Sequence, residues 1–147
     1  MFLLDTNTVS EMRKGRNVPS AAPIIEWASQ IDEAALYLSA ITILELEIGV
    51  RLRERKDKAQ GAILRHWLDA MVRPTFAGRI LPVDEAVALC CAPYHVPDPA
   101  AERDALIAAT AHRHGLTVVT RNVDDFVRTG VAIINPWEPT PPTGKRP

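Results

Sequence analysis

Short apolar runs alternate along this chain with longer stretches in which apolar residues recur every three or four positions. F-L-L at 2–4 reads as a first strand, and A-L-Y-L-S (35–39), L-T-V-V-T (116–120) and V-A-I-I-N (131–135) repeat the pattern. R-I-L-P-V (79–83) is a further short extended segment. Between these runs the period lengthens to that of a helix. Helices are predicted from Thr6 to Arg13, from a Ser20 cap through Ile24, Ile25 and Trp27, and over 41–54 and 58–72. Asp84 caps a further one, D-E-A-V-A-L-C-C-A, which stops near Pro93. The last long helix is expected to start at Asp98, with Pro99 at its first position, and to end at Gly115. Strands that alternate with helices in this way predict an α/β fold with a parallel sheet covered on both faces. One domain over 1–137 accounts for all of them. The proline-rich tail, 138–147, is expected to be disordered.

Composition adds a class and a charge distribution. With 47% hydrophobic and 24% charged residues in 147 positions, the chain is an ordinary globular domain. No apolar run reaches the roughly 20 residues of a membrane span, and the N-terminus lacks the pattern of a signal peptide, so a cytoplasmic location without membrane partners is expected. Cys90 and Cys91 are adjacent and imply no disulfide framework. The net charge of −1 excludes nothing, but between Arg51 and Arg79 eight basic residues face three acidic ones. That run is either a solvated helix face or a surface for a polyanion.

Three acids stand where acids are costly. Asp5 ends the first strand, at the edge where parallel sheets bind ligands, though it also suits a helix cap. On a helical projection Glu45 shares its arc with Ile41, Ile48 and Leu52, whereas Glu47 points toward Arg51 at i+4. Asp104 shares its arc with Ile107, Ala108 and Ala111. None of the three has an evident basic partner, so a shared divalent cation is the simple compensating charge. Carboxylate ligands without His or Cys at ligand spacing favour Mg²⁺ or Mn²⁺. Thr120 and Asn122 sit at the same sheet edge, where Asn122 brings a carbonyl oxygen but no charge. Asp124 and Asp125 follow, either capping a short helix through Phe126 and Val127 or, for Asp125, serving as a substitute acid. His112 and His114 complement the end of the helix that Gly115 closes.

Four segments in order, D-T-N at 5–7, S-A-I-T-I-L-E-L at 39–46, E-R-D-A-L-I-A-A-T-A at 102–111 and T-R-N-V-D-D-F at 120–126, resemble the PIN-domain family. Within it the chain resembles the VapC and FitB toxins of type II toxin–antitoxin modules. The resemblance implies a Rossmann-like α/β/α sandwich and a ribonuclease dependent on Mg²⁺ or Mn²⁺. It carries the principal acids onto Asp5, Glu45 and Asp104, and a fourth, usually acidic, position onto Asn122. It places Thr6, Asn7, Ser39, Thr42 and Thr120 around the pocket. It also implies a homodimer and a small antitoxin whose C-terminal segment enters the pocket.

The expected chemistry is hydrolysis of RNA phosphodiesters at a carboxylate-bound metal. Arg51, Arg53, Arg55, Lys56 and Arg121 are candidate contacts to the RNA backbone. The alternative is a degenerate module of the same fold that binds protein or RNA without cutting. A phosphatase with an Asp nucleophile would need a second Asp two residues after Asp5, where Asn7 stands.

Overall fold

The computed structural model describes residues 1–138; the remainder of the proline-rich tail lies outside the described residues. Five parallel strands form one sheet in the order β3-β2-β1-β4-β5. They are β1 (Phe2–Leu4), β2 (Leu36–Ser39), β3 (Ile80–Leu81), β4 (Thr117–Val119) and β5 (Ile133–Ile134). The helices are α1 (Thr6–Met12), α2 (Ala22–Ser29), α3 (Ala40–Lys56), α4 (Lys58–His66), α5 (Arg73–Thr75), α6 (Glu85–Cys91) and α7 (Glu102–His114).

Successive side chains of a strand point to opposite faces, and both faces here are apolar. Leu4, Leu36, Leu38 and Val119 pack with Val9, Ile24, Leu46, Val50, Leu68 and Phe76 on one side. Leu3 and Val118 pack with Ile107, Ala108, Ala111, Phe126 and Val131 on the other. Small residues in α7 let that helix pack closely on two sides: Ala108 and Ala111 are buried against the sheet, and Ala105 and Ala109 against Val87 and Cys91 of α6. Gly115 (φ 66°) closes α7 in the left-handed conformation that a Cβ would disfavour. Gly61 lets α4 fold back on α3, since a Cβ there would come within 2.5 Å of Glu54 Cα.

Several boundaries differ from those the pattern predicts. The last long helix starts at Glu102 with Ala101 as its cap, not at Asp98. The carbonyls of Tyr94, Asp98 and Pro99 are instead taken by the Arg128 guanidinium, which ties the preceding loop to the segment after β4. Ser20 does not cap α2: the cap position falls one residue later, at Ala21, and the Ser20 carbonyl accepts from Trp137 and Arg121. The helix expected over 58–72 narrows to Lys58–His66, then widens into a π-helical stretch at Trp67–Val72 before α5. Neither Asp124 nor Asp125 caps a helix; they lie within a short 3₁₀ turn, Val123–Asp125. No described helix is long and apolar enough to cross a membrane.

Candidate active site

Strand order decides where a site can form. From β1 the chain builds outward to β2 and β3, then crosses back to β4 on the other side of β1. The connections leaving β1 and β4 therefore diverge to opposite faces and open a crevice beyond their carboxyl ends. Asp5 and Thr120 are the first residues past those two strands, and the Asp5 N–H still donates to the Val119 carbonyl (3.2 Å).

Asp5 is buried, at 4% exposure, and holds a fixed orientation. Its Oδ1 accepts from the Thr8 N–H (2.8 Å) and its Oδ2 from the Thr120 hydroxyl (2.6 Å). The same carboxylate thus caps α1 and faces the crevice. Burial pushes its pKa above the ordinary carboxyl value; the bonds from Thr120 and Thr8 pull it back in part, and the negative charge of Asp125 adds to the rise. Thr120 Oγ1 in turn accepts from the Asn122 N–H (2.9 Å).

Glu45 enters from α3. Thr6 donates to its Oε1 (2.6 Å) and stands 3.2 Å from the Thr42 hydroxyl. The buried stripe of α3 is Thr42, Leu46 and Val50, so the arc of Glu45 is the flank beside it, and Leu52 on that arc is 58% exposed. Glu45 also has a basic neighbour that the one-helix projection does not reveal: Arg103 Nη1, from α7, lies 3.8 Å from its Oε2. Asp104 is the most perturbed of the group. Its pKa is raised to about 6, first by burial, then by the charges of Asp125, Glu45 and Asp5; none of these influences is a hydrogen bond.

Asp5, Glu45, Asp104 and Asp125 line one pocket of about 80 Å³ with Thr6, Asn7 and Ile107. That space takes an ion with several waters. Asn122 does not line it. Asn122 lines two neighbouring recesses instead, one with Asn7, Glu11 and Trp137, the other with Asp124, Asp125 and Asn135. Ser39 is buried and caps α3 through the Ile41 N–H (3.0 Å), which sets the entry angle of the helix that carries Glu45. In the present arrangement no three carboxylate, imidazole or thiol groups among the described residues stand close enough to grip one ion. The donor set nevertheless fits a hard divalent cation: four carboxylates share one small cavity, one carboxyl is already driven toward neutrality by burial and then by its neighbours' charges, and one weakly held arginine offsets them.

The basic run resolves into two parts. Arg65 forms paired contacts to Glu47 (2.7 and 2.9 Å) and reaches Glu54, while Arg79 donates to the carbonyls of Glu33, Leu36 and Thr75; both are structural. Arg51 pairs with Glu47 at 2.6 Å, as its spacing predicts. Arg53, Arg55 and Lys56 are exposed in the last turn of α3, where cations suit the helix end. At 1.5 Å rise per residue they stand about 12–17 Å along the helix from Glu45. Arg121 lies over the Trp137 ring at 4.7 Å and donates to the Ser20 carbonyl.

The sequence profile of the PIN domain matches residues 2–132. The chain belongs to the PIN-domain family. Among relatives of this PIN domain, Toxin FitB of Neisseria gonorrhoeae is 41% identical over 143 residues, covering 93% of this chain and 99% of that protein. VapC ribonuclease Y4jK of Sinorhizobium fredii is 36% identical, covering 95% and 99%. The crystal structure of FitAcB from Neisseria gonorrhoeae superposes with a TM-score of 0.81 at 38% identity, over 93% of this chain and 99% of that one. A structure of FitAB bound to an IR36 DNA fragment gives 0.83 at 36% identity, over 95% and 98%. The five-stranded parallel sheet with helices on both faces is the arrangement expected of this family.

Proposed function

We propose that this chain is the ribonuclease toxin of a toxin–antitoxin pair, hydrolysing RNA phosphodiesters with Mg²⁺ or Mn²⁺ held by Asp5, Glu45, Asp104 and Asp125. The observation that carries this reading is the convergence of four carboxylates on one pocket at the switch point of the sheet. Its relatives are named a toxin and a ribonuclease, and the similar solved structures are those of FitAB bound to a DNA fragment and of FitAcB.

When bound, the cation supplies Lewis-acid polarisation of the phosphodiester and lowers the pKa of its water. The protein supplies position. Thr8 and Thr120 aim both Asp5 oxygens, and Thr6 aims Glu45. Among the described residues, the Asp104 and Asp125 side chains carry no hydrogen bond that would hold them away from an ion. Asp125 takes the fourth place that the resemblance gave to Asn122, and Asn122 acts from the adjoining recess, on the substrate side. Arg53, Arg55 and Lys56 track RNA several nucleotides from the cut. An antitoxin covers the pocket, and the exposed Leu44 and Leu52 on α3 suit a second copy of the chain.

The spacing of the carboxylates keeps a second reading in play, a binding module that does not cut. Incubating total cellular RNA with the purified chain, Mg²⁺ or Mn²⁺, and the variants Asp5→Asn and Asp104→Asn separates the two. Discrete cuts that need the metal and vanish in both variants are expected; a folded, metal-binding wild type that leaves RNA whole would establish the binding module.

A further inference from the structure

Arg103 sits in the first turn of α7, where the partial positive charge of the helix end disfavours a cation; Glu102 and Asp104 on either side have the favoured sign. Helix stability therefore does not account for it. Its guanidinium reaches across to α3, and its Nη1 stands 3.8 Å from Glu45 Oε2 with no hydrogen bond between them, while the side chain stays 52% exposed. Half-exposed pairs of this kind are weak. Glu45 Oε1 is already engaged by Thr6 at 2.6 Å, so the oxygen facing Arg103 is the one left for any other ligand. No other Lys or Arg among the described residues lies within ion-pair distance of Asp5, Glu45, Asp104 or Asp125.

We infer that Arg103 is a phosphate-binding residue stored on Glu45. If Glu45 held a divalent cation, Arg103 would lose this partner, and its guanidinium would be left at the lip of the pocket with its planar donors unpaired. A substrate phosphodiester is the partner whose charge and geometry it then matches. The residue opposes the metal in the free protein and assists the RNA once metal is bound. This rests on the nuclease reading above, and it assigns a role to a side chain outside the carboxylate set.

The test uses opposite signs in two binding measurements on the full chain. Arg103→Ala is expected to bind Mn²⁺ roughly two- to fivefold more tightly by calorimetry without RNA, because a weak competitor is gone. The same variant is expected to bind a labelled single-stranded 2′-O-methyl RNA dodecamer, with Mg²⁺ present, about tenfold more weakly. Its slope of log K against log salt should be smaller by about 0.7, one phosphate contact on a single strand. Arg103→Lys, which keeps the charge, should recover much of the RNA affinity and the slope. The melting temperature of Arg103→Ala should match wild type, since the side chain is half exposed. Mn²⁺ affinity that is unchanged or weaker in Arg103→Ala overturns the competition, and RNA affinity equal to wild type overturns the phosphate contact. A folded wild type that binds neither Mn²⁺ nor RNA overturns the nuclease reading itself, and this inference with it.

Discussion

Replacing Asp104 by Asn should stabilise the metal-free protein while it abolishes cleavage. The Asp104 carboxyl moves from 3.8 to about 6 in the fold, through burial and the charges of Asp125, Glu45 and Asp5. Because the folded value is raised, the folded state holds its proton more tightly than the unfolded chain between those two pH values. Stability therefore falls as pH rises through that window and stays low above it. Unscreened, a rise of this size costs the ionised fold about 3 kcal/mol. The side chain is partly open to water, so screening reduces this to roughly 1–2 kcal/mol. At about 2–4 °C per kcal/mol for a domain of this size, Asp104→Asn should melt roughly 3–6 °C higher at pH 7.5 in EDTA. The advantage should vanish near pH 4. Adding Mg²⁺ should raise the wild-type melting temperature and leave the variant unmoved. Thermal unfolding of both proteins at pH 4, 6 and 7.5, with and without Mg²⁺, measures all of this. A variant that melts below wild type at pH 7.5 in EDTA would mean that the acids are not in electrostatic conflict, and the reason for placing a cation among them would be lost.

Other expectations follow from single contacts. Thr120→Val removes the donor to Asp5 Oδ2 and the acceptor for the Asn122 N–H, so it should cost about 1–3 kcal/mol in urea unfolding and lower the cleavage rate with it. Asp125→Asn should reduce RNA cleavage at least tenfold, and more than Asn122→Ala does, because only Asp125 lines the acid pocket; equal losses in a gel assay would return Asn122 to the metal set. Gly61→Ala should destabilise the fold by about 1–3 kcal/mol, since its Cβ would meet the Glu54 backbone, while the folded fraction keeps full cleavage per molecule. Reversing Arg53 and Arg55 to Glu should weaken RNA binding and flatten its salt dependence; Arg65→Ala, whose charge is already spent on Glu47 and Glu54, should leave that dependence unchanged.

The strands and the acids were legible because each follows from a local rule. Period-two and period-3.6 patterns separate strands from helices, and a carboxylate at the end of an apolar strand stands out against its cost of burial. What escaped depends on contacts between elements. Arg103 belongs to α7 and its partner to α3, so no projection of one helix reveals the pair. Glu45 looked like a core position because Ile41, Ile48 and Leu52 share its arc, yet the helix packs along Thr42, Leu46 and Val50. Which of Asn122 and Asp125 faces the pocket is set by the backbone after β4. There the Asn122 N–H turns back onto Thr120, and a 3₁₀ turn brings Asp125 round beside Asp104. The sequence points to Asp98 as the start of α7 because a Pro-rich loop supplies good capping residues, whereas Arg128 occupies the Asp98 and Pro99 carbonyls that a helix begun there would use.

The supports of the pocket explain how it stays reactive. A buried carboxylate can be stabilised by a lysine or an arginine, but such a partner cancels the charge that a cation needs. Here two of the four carboxylates are aimed by neutral donors: Asp5 by the Thr8 backbone and the Thr120 hydroxyl, and Glu45 by the Thr6 hydroxyl. These bonds fix direction and offset part of the desolvation while leaving the negative charge in place. Asp104 has no such donor to offset its burial and the charges of Asp125, Glu45 and Asp5, and its pKa rises to about 6. Among the described residues, the one full positive charge beside these acids is kept at the rim, on the long and half-exposed side chain of Arg103. A site built this way trades stability of the metal-free fold for attraction of a cation, and the melting curves of Asp104→Asn measure that trade directly.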